Sequence, residues 1–266
     1  MSKTILITGS TDGIGKLTAI KLAKDGHSLY LHGRNVDKLE ATIAEIKEIS
    51  NNENIHGFVA DFSDLKAVQK MAEEISSQIS KIDVLINNAG IYGSSQSQNM
   101  EGLDLRMVVN YLAPYKLTNE ILPVLKNGTA TRIINLSSAA QSTVSKAVLM
   151  GEQQVMEQQT YAQSKLALLM WSFYLAEEEP DLQVISVNPG SLLNTKMVKE
   201  TFGHHNSEAD KGANILYDLA VSDEYNGVTG KYFDNDRGYF GNAHQDAYDQ
   251  YKIDALISTT SDILNK

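Results

Sequence analysis

The sequence predicts an α/β fold: a doubly wound parallel sheet of about seven strands with helices on both faces. Three observations predict it. Short apolar runs alternate with longer amphipathic stretches along the whole chain. A glycine-rich turn sits directly between the first apolar run and the first amphipathic stretch. No Pro-rich linker, composition break or internal repeat divides the 266 residues, so 1–266 reads as one domain. A chain of this length can bury a large core without disulfide staples.

The strand candidates are 5–8, 28–32, 55–60, 84–87, 132–136, 184–188 and 231–233. Most are short runs bounded by polar or glycine residues, the pattern of strands buried on both faces. Segments 15–25 and 37–49 read as helices. In the second, Leu39, Ile43, Ile46 and Ile49 keep the helical period, and Asp37 is the expected N-cap. Asp64, Asp104 and Glu208 open later helical stretches, where an acid complements the positive helix end. The stretch 166–175 is apolar on more than one face. Two explanations stand: burial against a second subunit, giving a homodimer or homotetramer, or an interior position partly covered by segment 139–160.

Composition excludes several function classes. With 23 basic and 33 acidic side chains the net charge is −10, so no basic surplus exists to meet nucleic-acid or membrane phosphates. The absence of cysteine excludes disulfides, thiolate zinc sites and a thiol nucleophile. No apolar run reaches the roughly 18–20 residues of a membrane span. The first residues carry no export signal, and the expected location is cytoplasmic. His204 and His205 are adjacent and project differently, with no carboxylate at helical ligand spacing, so no metal site is expected.

Several segments carry chemistry. Gly9, Ser10, Thr11, Asp12, Gly13, Ile14 and Gly15 form the turn after the first strand. Glycines there permit a sharp turn and bring backbone N–H groups and a helix N-terminus toward a pyrophosphate. At the end of the second strand Gly33 stands where an acid would grip a ribose 2′-hydroxyl. Arg34 instead offers a planar donor fork suited to a 2′-phosphate. Tyr161 and Lys165 lie four apart, on one face of a helix. A neighbouring ammonium favours phenolate and lowers a phenol pKa from about 10, making the pair a proton donor or acceptor near neutrality. Ser137 and Ser138 end the fifth strand, at the sheet edge where open α/β folds bind ligands. Pro114 has no N–H, so the carbonyl of Asn110 loses its usual helical partner and becomes a ready water site.

These motifs resemble those of the short-chain dehydrogenase/reductase family, from the Thr-Gly-x-x-x-Gly-x-Gly turn at Thr8 to Thr195. The resemblance implies a Rossmann-type fold, a nicotinamide cofactor and a set of roles. Asp61, with Phe62 beside it, would meet the adenine amino group. Asn88, Ala89 and Gly90 would line the adenosine half, and Asn35 would sit with Arg34. Ser138 rather than Ser137 would steady the substrate oxygen, and Asn110 would hold a relay water. Pro189, Gly190, Leu192 and Thr195 would hold the nicotinamide carboxamide. Gln141 departs from the glycine common three places after the serine. Ser138 and Tyr161 are also farther apart than in many members, which is similar to the branch of retinol dehydrogenases and WW-domain oxidoreductases. The insertion 139–160 and the segment 191–212 are the expected substrate loops, with Met150, Met156, Met197 and Phe202 as candidate apolar lining. The implied activity is hydride transfer between NADP(H), with NAD(H) possible, and a carbonyl or a primary or secondary alcohol. A non-catalytic NADP(H)-sensing protein of the same fold is the alternative. A sugar-nucleotide epimerase or dehydratase is a third reading.

Overall fold

The computed structural model describes residues 2–265. In chain order the first half holds β1 (Thr4–Ile7), α1 (Gly13–Lys24), β2 (Ser28–Gly33), α2 (Val36–Ser50), β3 (Ile55–Val59), α3 (Leu65–Gln78) and β4 (Val84–Asn87). Then come α4 (Leu105–Met107), a π-helical turn (Val108–Leu112), α5 (Ala113–Glu120), α6 (Leu122–Lys126) and β5 (Arg132–Leu136). They are followed by α7 (Lys146–Leu149), α8 (Glu157–Glu178), β6 (Gln183–Asn188), α9 (Lys196–Phe202) and α10 (Ala209–Val221). The chain ends with β7 (Lys231–Asp234), β8 (Tyr239–Gly241), a 3₁₀ turn (Gln245–Tyr248) and α11 (Gln250–Leu264).

One sheet holds all the strands, in the order β3-β2-β1-β4-β5-β6-β7-β8. Every pairing from β3 to β7 is parallel. This is the Rossmann-like, doubly wound α/β class that the alternating pattern predicts. Alternation within each strand builds the two cores. Ile5, Ile7, Val84, Ile86, Ile134 and Ile185 point to the side packed with α1, α2 and α10. Leu6, Leu85, Ile133 and Val184 point to the side packed with α3, α5 and α8. Runs that are apolar at every position are therefore what a two-sided sheet requires.

Two sequence expectations need correction. An eighth strand, β8, pairs antiparallel with β7, opposing Phe240 to Phe233. Its three residues are too short for a periodic signal, and it is held by edge-on packing of Tyr225, Phe233 and Phe240. The N-cap of α2 is Asn35, not Asp37. Asn35 is the last residue in extended backbone, and its Oδ1 accepts the N–H of Lys38 at 2.8 Å, while Asp37 lies in the first helical turn. Glu208 opens α10 at its N-cap position, as expected, but its carboxylate makes no cap bond to the helix and accepts instead from Asn194 Nδ2 at 2.8 Å.

The surplus apolar face of α8 is covered by the chain itself. The C-terminal α11 packs on α8, burying Ile253 and Leu256 in the same core as Trp171 and Leu169. Tyr111 and Thr260 share a buried hydrogen bond of 2.7 Å that ties α11 to the π-turn. Val148 and Leu149 of α7 join this core, so segment 139–160 covers part of α8 as one of the two explanations holds. Among the described residues no helix is long and apolar enough to cross a membrane. Leu256→Ala should cost roughly 2–5 kcal/mol of stability, read by urea denaturation. An unchanged midpoint would mean α11 is not docked as described.

Candidate active site

The sheet order places the turn after β1 beside the turn after β4, where the chain changes direction across the sheet. A hydrogen-bonded seam joins the two turns. Thr8 Oγ1 accepts the N–H groups of Asn88 and Ala89, both at 3.0 Å. Asn88 Nδ2 donates back to the carbonyls of Thr8 at 2.8 Å and Gly9 at 2.9 Å. The approach is so close that a Cβ on Gly9 would lie 2.7 Å from Ala89 Cα, and one on Gly15 2.4 Å from Asn88 Nδ2. Gly9 also needs its left-handed φ of 64°. The remaining turn residues fill in around the seam. Ser10 faces inward, its Oγ accepting from His32 N at 2.9 Å and donating to Ile7 O at 3.0 Å. Asp12 caps α1 through the N–H of Gly13 and pairs with Lys38 at 2.7 Å.

His32 is a buried residue that sequence reasoning passed over. Its Nδ1 accepts the N–H of Gly9 at 3.1 Å, and its Nε2 faces the carbonyl of Ala60 at 3.0 Å. It therefore carries its proton on Nε2 and ties the glycine turn to the end of β3. Phe62 stacks on its ring at 4.2 Å. Burial holds its pKa down at about 4. The available signal was a histidine inside an otherwise apolar strand.

Tyr161, Lys165 and Asn110 converge at the ends of β4 and β5. Lys165 is buried, and its Nζ donates to Leu136 O at 2.8 Å and lies 5.7 Å from the centre of the Tyr161 ring. A Cβ on Gly90 would come within 3.2 Å of Asn110 Oδ1 and 3.4 Å of Lys165 Nζ, so glycine there keeps the three groups together. Asn110 is fully buried in the π-turn that precedes Pro114. Its side chain grips Ile91, accepting from N at 2.8 Å and donating to O at 3.0 Å, and also donates to Ser164 Oγ at 3.0 Å. Ser164 in turn donates to Tyr161 O at 2.7 Å. Ser138 is half-buried, and its hydroxyl faces the Tyr161 phenol. Ser137 is turned away, donating to Lys165 O at 2.9 Å.

The charge state differs from the expectation that the lysine lowers the tyrosine. Burial pushes the Tyr161 phenol above its ordinary value, and the Ser138 hydroxyl pulls the other way. Burial also lowers the Lys165 ammonium, to about 8. Both groups share one apolar setting that disfavours either charge.

The remaining residues frame this centre. Arg34 and Asn35 sit in the turn from β2 to α2, with Arg34 exposed, and Asp61 follows β3 with its carboxylate accepting from Ser63. Pro189, Gly190 and Leu192 lie in the turn after β6. The β7–β8 hairpin anchors that turn: Asn235 donates to Pro189 O at 2.8 Å, and Asp236 accepts from Ser191 N at 2.9 Å. Thr195 caps α9 by accepting from Val198 N, with its methyl 3.7 Å from where a Gly13 Cβ would be. Tyr92, unremarked in the sequence, packs on Tyr161 at 4.8 Å and edge-on against Phe202 at 5.3 Å. Buried Arg106 holds the Tyr92 carbonyl while paired with Asp104 and Glu157. Of the candidate methionines, Met156 is exposed rather than part of a wall.

A family model described as short chain dehydrogenase matches residues 3–206. The chain belongs to this family of oxidoreductases. Retinol dehydrogenase 13 of Homo sapiens is 31% identical over 253 residues, covering 87% of this chain and 76% of that protein. Within the family the chain falls in the retinol dehydrogenase-like branch. Among solved structures, a protein from Mycobacterium paratuberculosis superposes with a TM-score of 0.80 at 25% identity, over 99% of this chain and 94% of that one. A protein of Escherichia coli CFT073, solved in complex with NADPH, superposes with a TM-score of 0.71 at 29% identity, over 88% of this chain and 96% of that one.

His32 makes acid stability testable. Its folded pKa of about 4 lies below the ordinary 6.5, so it stabilises the neutral-pH fold and that contribution disappears as pH falls from about 6.5 toward 4. The linked loss reaches up to about 3 kcal/mol across that window. Denaturation curves of His32→Gln should be less stable at pH 7.5 and flatter between pH 7 and 4. A variant that follows the wild-type pH slope would contradict the assignment.

Proposed function

We propose that the chain is an NADP(H)-preferring oxidoreductase that interconverts a carbonyl compound and a primary or secondary alcohol. The observation that carries this reading is the meeting of Ser138, Tyr161, Lys165 and Asn110 at the mouth of the glycine seam. A nicotinamide nucleotide fits the residues present. The seam between the 9–15 turn and Ala89 leaves no room for side chains, which is the cradle a pyrophosphate needs for close contact with backbone N–H groups. Ser10, Thr11, Gly13 and Ile14 complete that turn. Asp61 and Phe62 would border the adenine, Asn88, Ala89 and Gly90 the ribose, and Pro189, Gly190, Leu192 and Thr195 the nicotinamide amide. Arg34 and Asn35, with no carboxylate at Gly33, support preference for a 2′-phosphate.

When bound, the nicotinamide supplies hydride to a carbonyl carbon or takes it from an alcohol. The chain does the rest. Ser138 donates a hydrogen bond to the substrate oxygen as negative charge develops there. Tyr161 gives its phenolic proton to that oxygen in reduction and removes one in oxidation. Lys165, while protonated, steadies the phenolate that reduction leaves behind. Asn110 fixes the Ile91 turn and the first turn of α8, and its carbonyl, denied a donor by Pro114, holds a water on the path that returns a proton. Tyr92 and Phe202 form an aromatic wall beside Tyr161, suited to a substrate with an apolar body.

A panel of aldehydes and ketones assayed with NADPH tests the reading; no turnover of any member by a folded wild-type chain would overturn it. Tyr161→Phe should lower kcat at least ~100-fold. Because the phenol stays protonated through neutral pH, reduction should hold level there and fall in alkali, while alcohol oxidation should rise with pH. Opposite slopes would remove Tyr161 from the proton step. Arg34→Ala should raise KM for NADPH about tenfold or more and leave KM for NADH unchanged. Equal effects on both cofactors would contradict recognition of the 2′-phosphate.

A further inference from the structure

The loop that carries Ser138 is wired to the C-terminal part of the chain. Two side chains converge on the Ser138 carbonyl: Gln141 Nε2 donates at 2.8 Å, and the Tyr232 hydroxyl donates at 3.3 Å. The other end of the Gln141 amide accepts the N–H of His244 at 2.8 Å. A carbonyl only accepts and a backbone N–H only donates, so these two partners fix which end of the amide is which. Ser138 Oγ also accepts from Ala140 N at 3.1 Å, closing the loop on itself.

His244 is not a loose tail. It caps the following 3₁₀ turn by accepting from Asp246 N at 3.2 Å. Asp246 is buried and held by Lys252 of α11 at 2.6 Å. Ala247 is buried in the α8 core, and the Tyr248 ring packs on Phe173 of α8 at 5.5 Å. The segment that touches Gln141 is therefore fixed to the same helix that carries Tyr161 and Lys165. A glycine at position 141 would have no side-chain amide to make this bridge.

We infer that Gln141 is a positioning residue: by bridging the Ser138 carbonyl to the His244 backbone, it makes the C-terminal segment set the direction of the Ser138 hydroxyl. The inference rests on the proposed role of Ser138 in carbonyl reduction. The bridge acts on the orientation of one donor relative to Tyr161, and small errors in such placement are costly to the chemical step while leaving cofactor affinity alone. Tyr232, the weaker donor by distance, supports the same carbonyl from β7.

Three variants separate the bonds. Gln141→Ala removes both. Gln141→Glu keeps an acceptor for His244 N–H and loses the donor to Ser138. His244→Pro removes the N–H from the far side, at a φ of −54° that proline adopts; His244→Ala keeps that N–H and is its control. Each of the first three should lower kcat for carbonyl reduction about tenfold or more with KM for NADPH unchanged. Amide hydrogen exchange, measured on the same proteins without substrate, should quicken at 138–143 in His244→Pro but not in His244→Ala, and at 243–248 in Gln141→Ala. Wild-type kcat in all three, or exchange that changes only at the substituted segment, overturns the inference while leaving the proposed function intact. If wild type reduces no carbonyl, the proposed function falls, and exchange alone decides the coupling.

Discussion

Thr8 Oγ1 accepting the N–H groups of Asn88 and Ala89, with Asn88 donating back to Thr8 and Gly9, is the contact on which the rest of the site depends. It forms where β1 and β4, adjacent in the sheet but distant in sequence, release their chains in different directions. Backbone meets backbone there so closely that Gly9 and Gly15 admit no side chain. The consequence is a tight turn at the start of α1, where the helix N-terminus favours an anion without a cationic side chain. That explains how a chain of net charge −10 can hold a phosphorylated cofactor.

The second constraint is burial. His32, Asn110 and Lys165 are polar groups placed inside an apolar interior, and each is satisfied by specific partners. Their hydrogen bonds connect neighbouring strand ends: His32 links the glycine turn to β3, Asn110 links the turn after β4 to α8, and Lys165 reaches the last residue of β5. The same burial that makes these links costly to break also shifts both Tyr161 and Lys165 toward their neutral forms. The site therefore holds a protonated phenol, the form that the proposed reduction of a carbonyl calls for.

The fold was legible because its signals are local. Runs such as Leu85–Ile86 in β4 and Ile133–Ile134 in β5 are apolar at every position, and only a sheet covered on both faces requires that. The glycine turn, the Tyr161–Lys165 spacing and Pro114 after Asn110 were legible for the same reason: each is a short pattern with one physical cause. What escaped the sequence depends on contacts between distant segments. His32 looked like a polar interruption of β2 until Gly9 and Ala60 were seen on either side of it. Tyr92 gains meaning only beside Tyr161 and Phe202. The apolar excess of α8 left a second subunit and the 139–160 segment as candidates, and α11, a further element more than seventy residues on, also packs on it. Asn35 rather than Asp37 caps α2 because capping follows backbone geometry, which composition does not encode.

In the proposed function the β1–β4 seam seats a nicotinamide nucleotide with its reactive end toward Tyr161. A crystal structure of the chain grown with NADPH tests it most directly. The pyrophosphate should lie against the backbone of the 9–15 turn, the 2′-phosphate at Arg34, and the nicotinamide beside Tyr161 and the turn after β6. Density for the nucleotide anywhere else, or the nicotinamide beside Arg34, would contradict it.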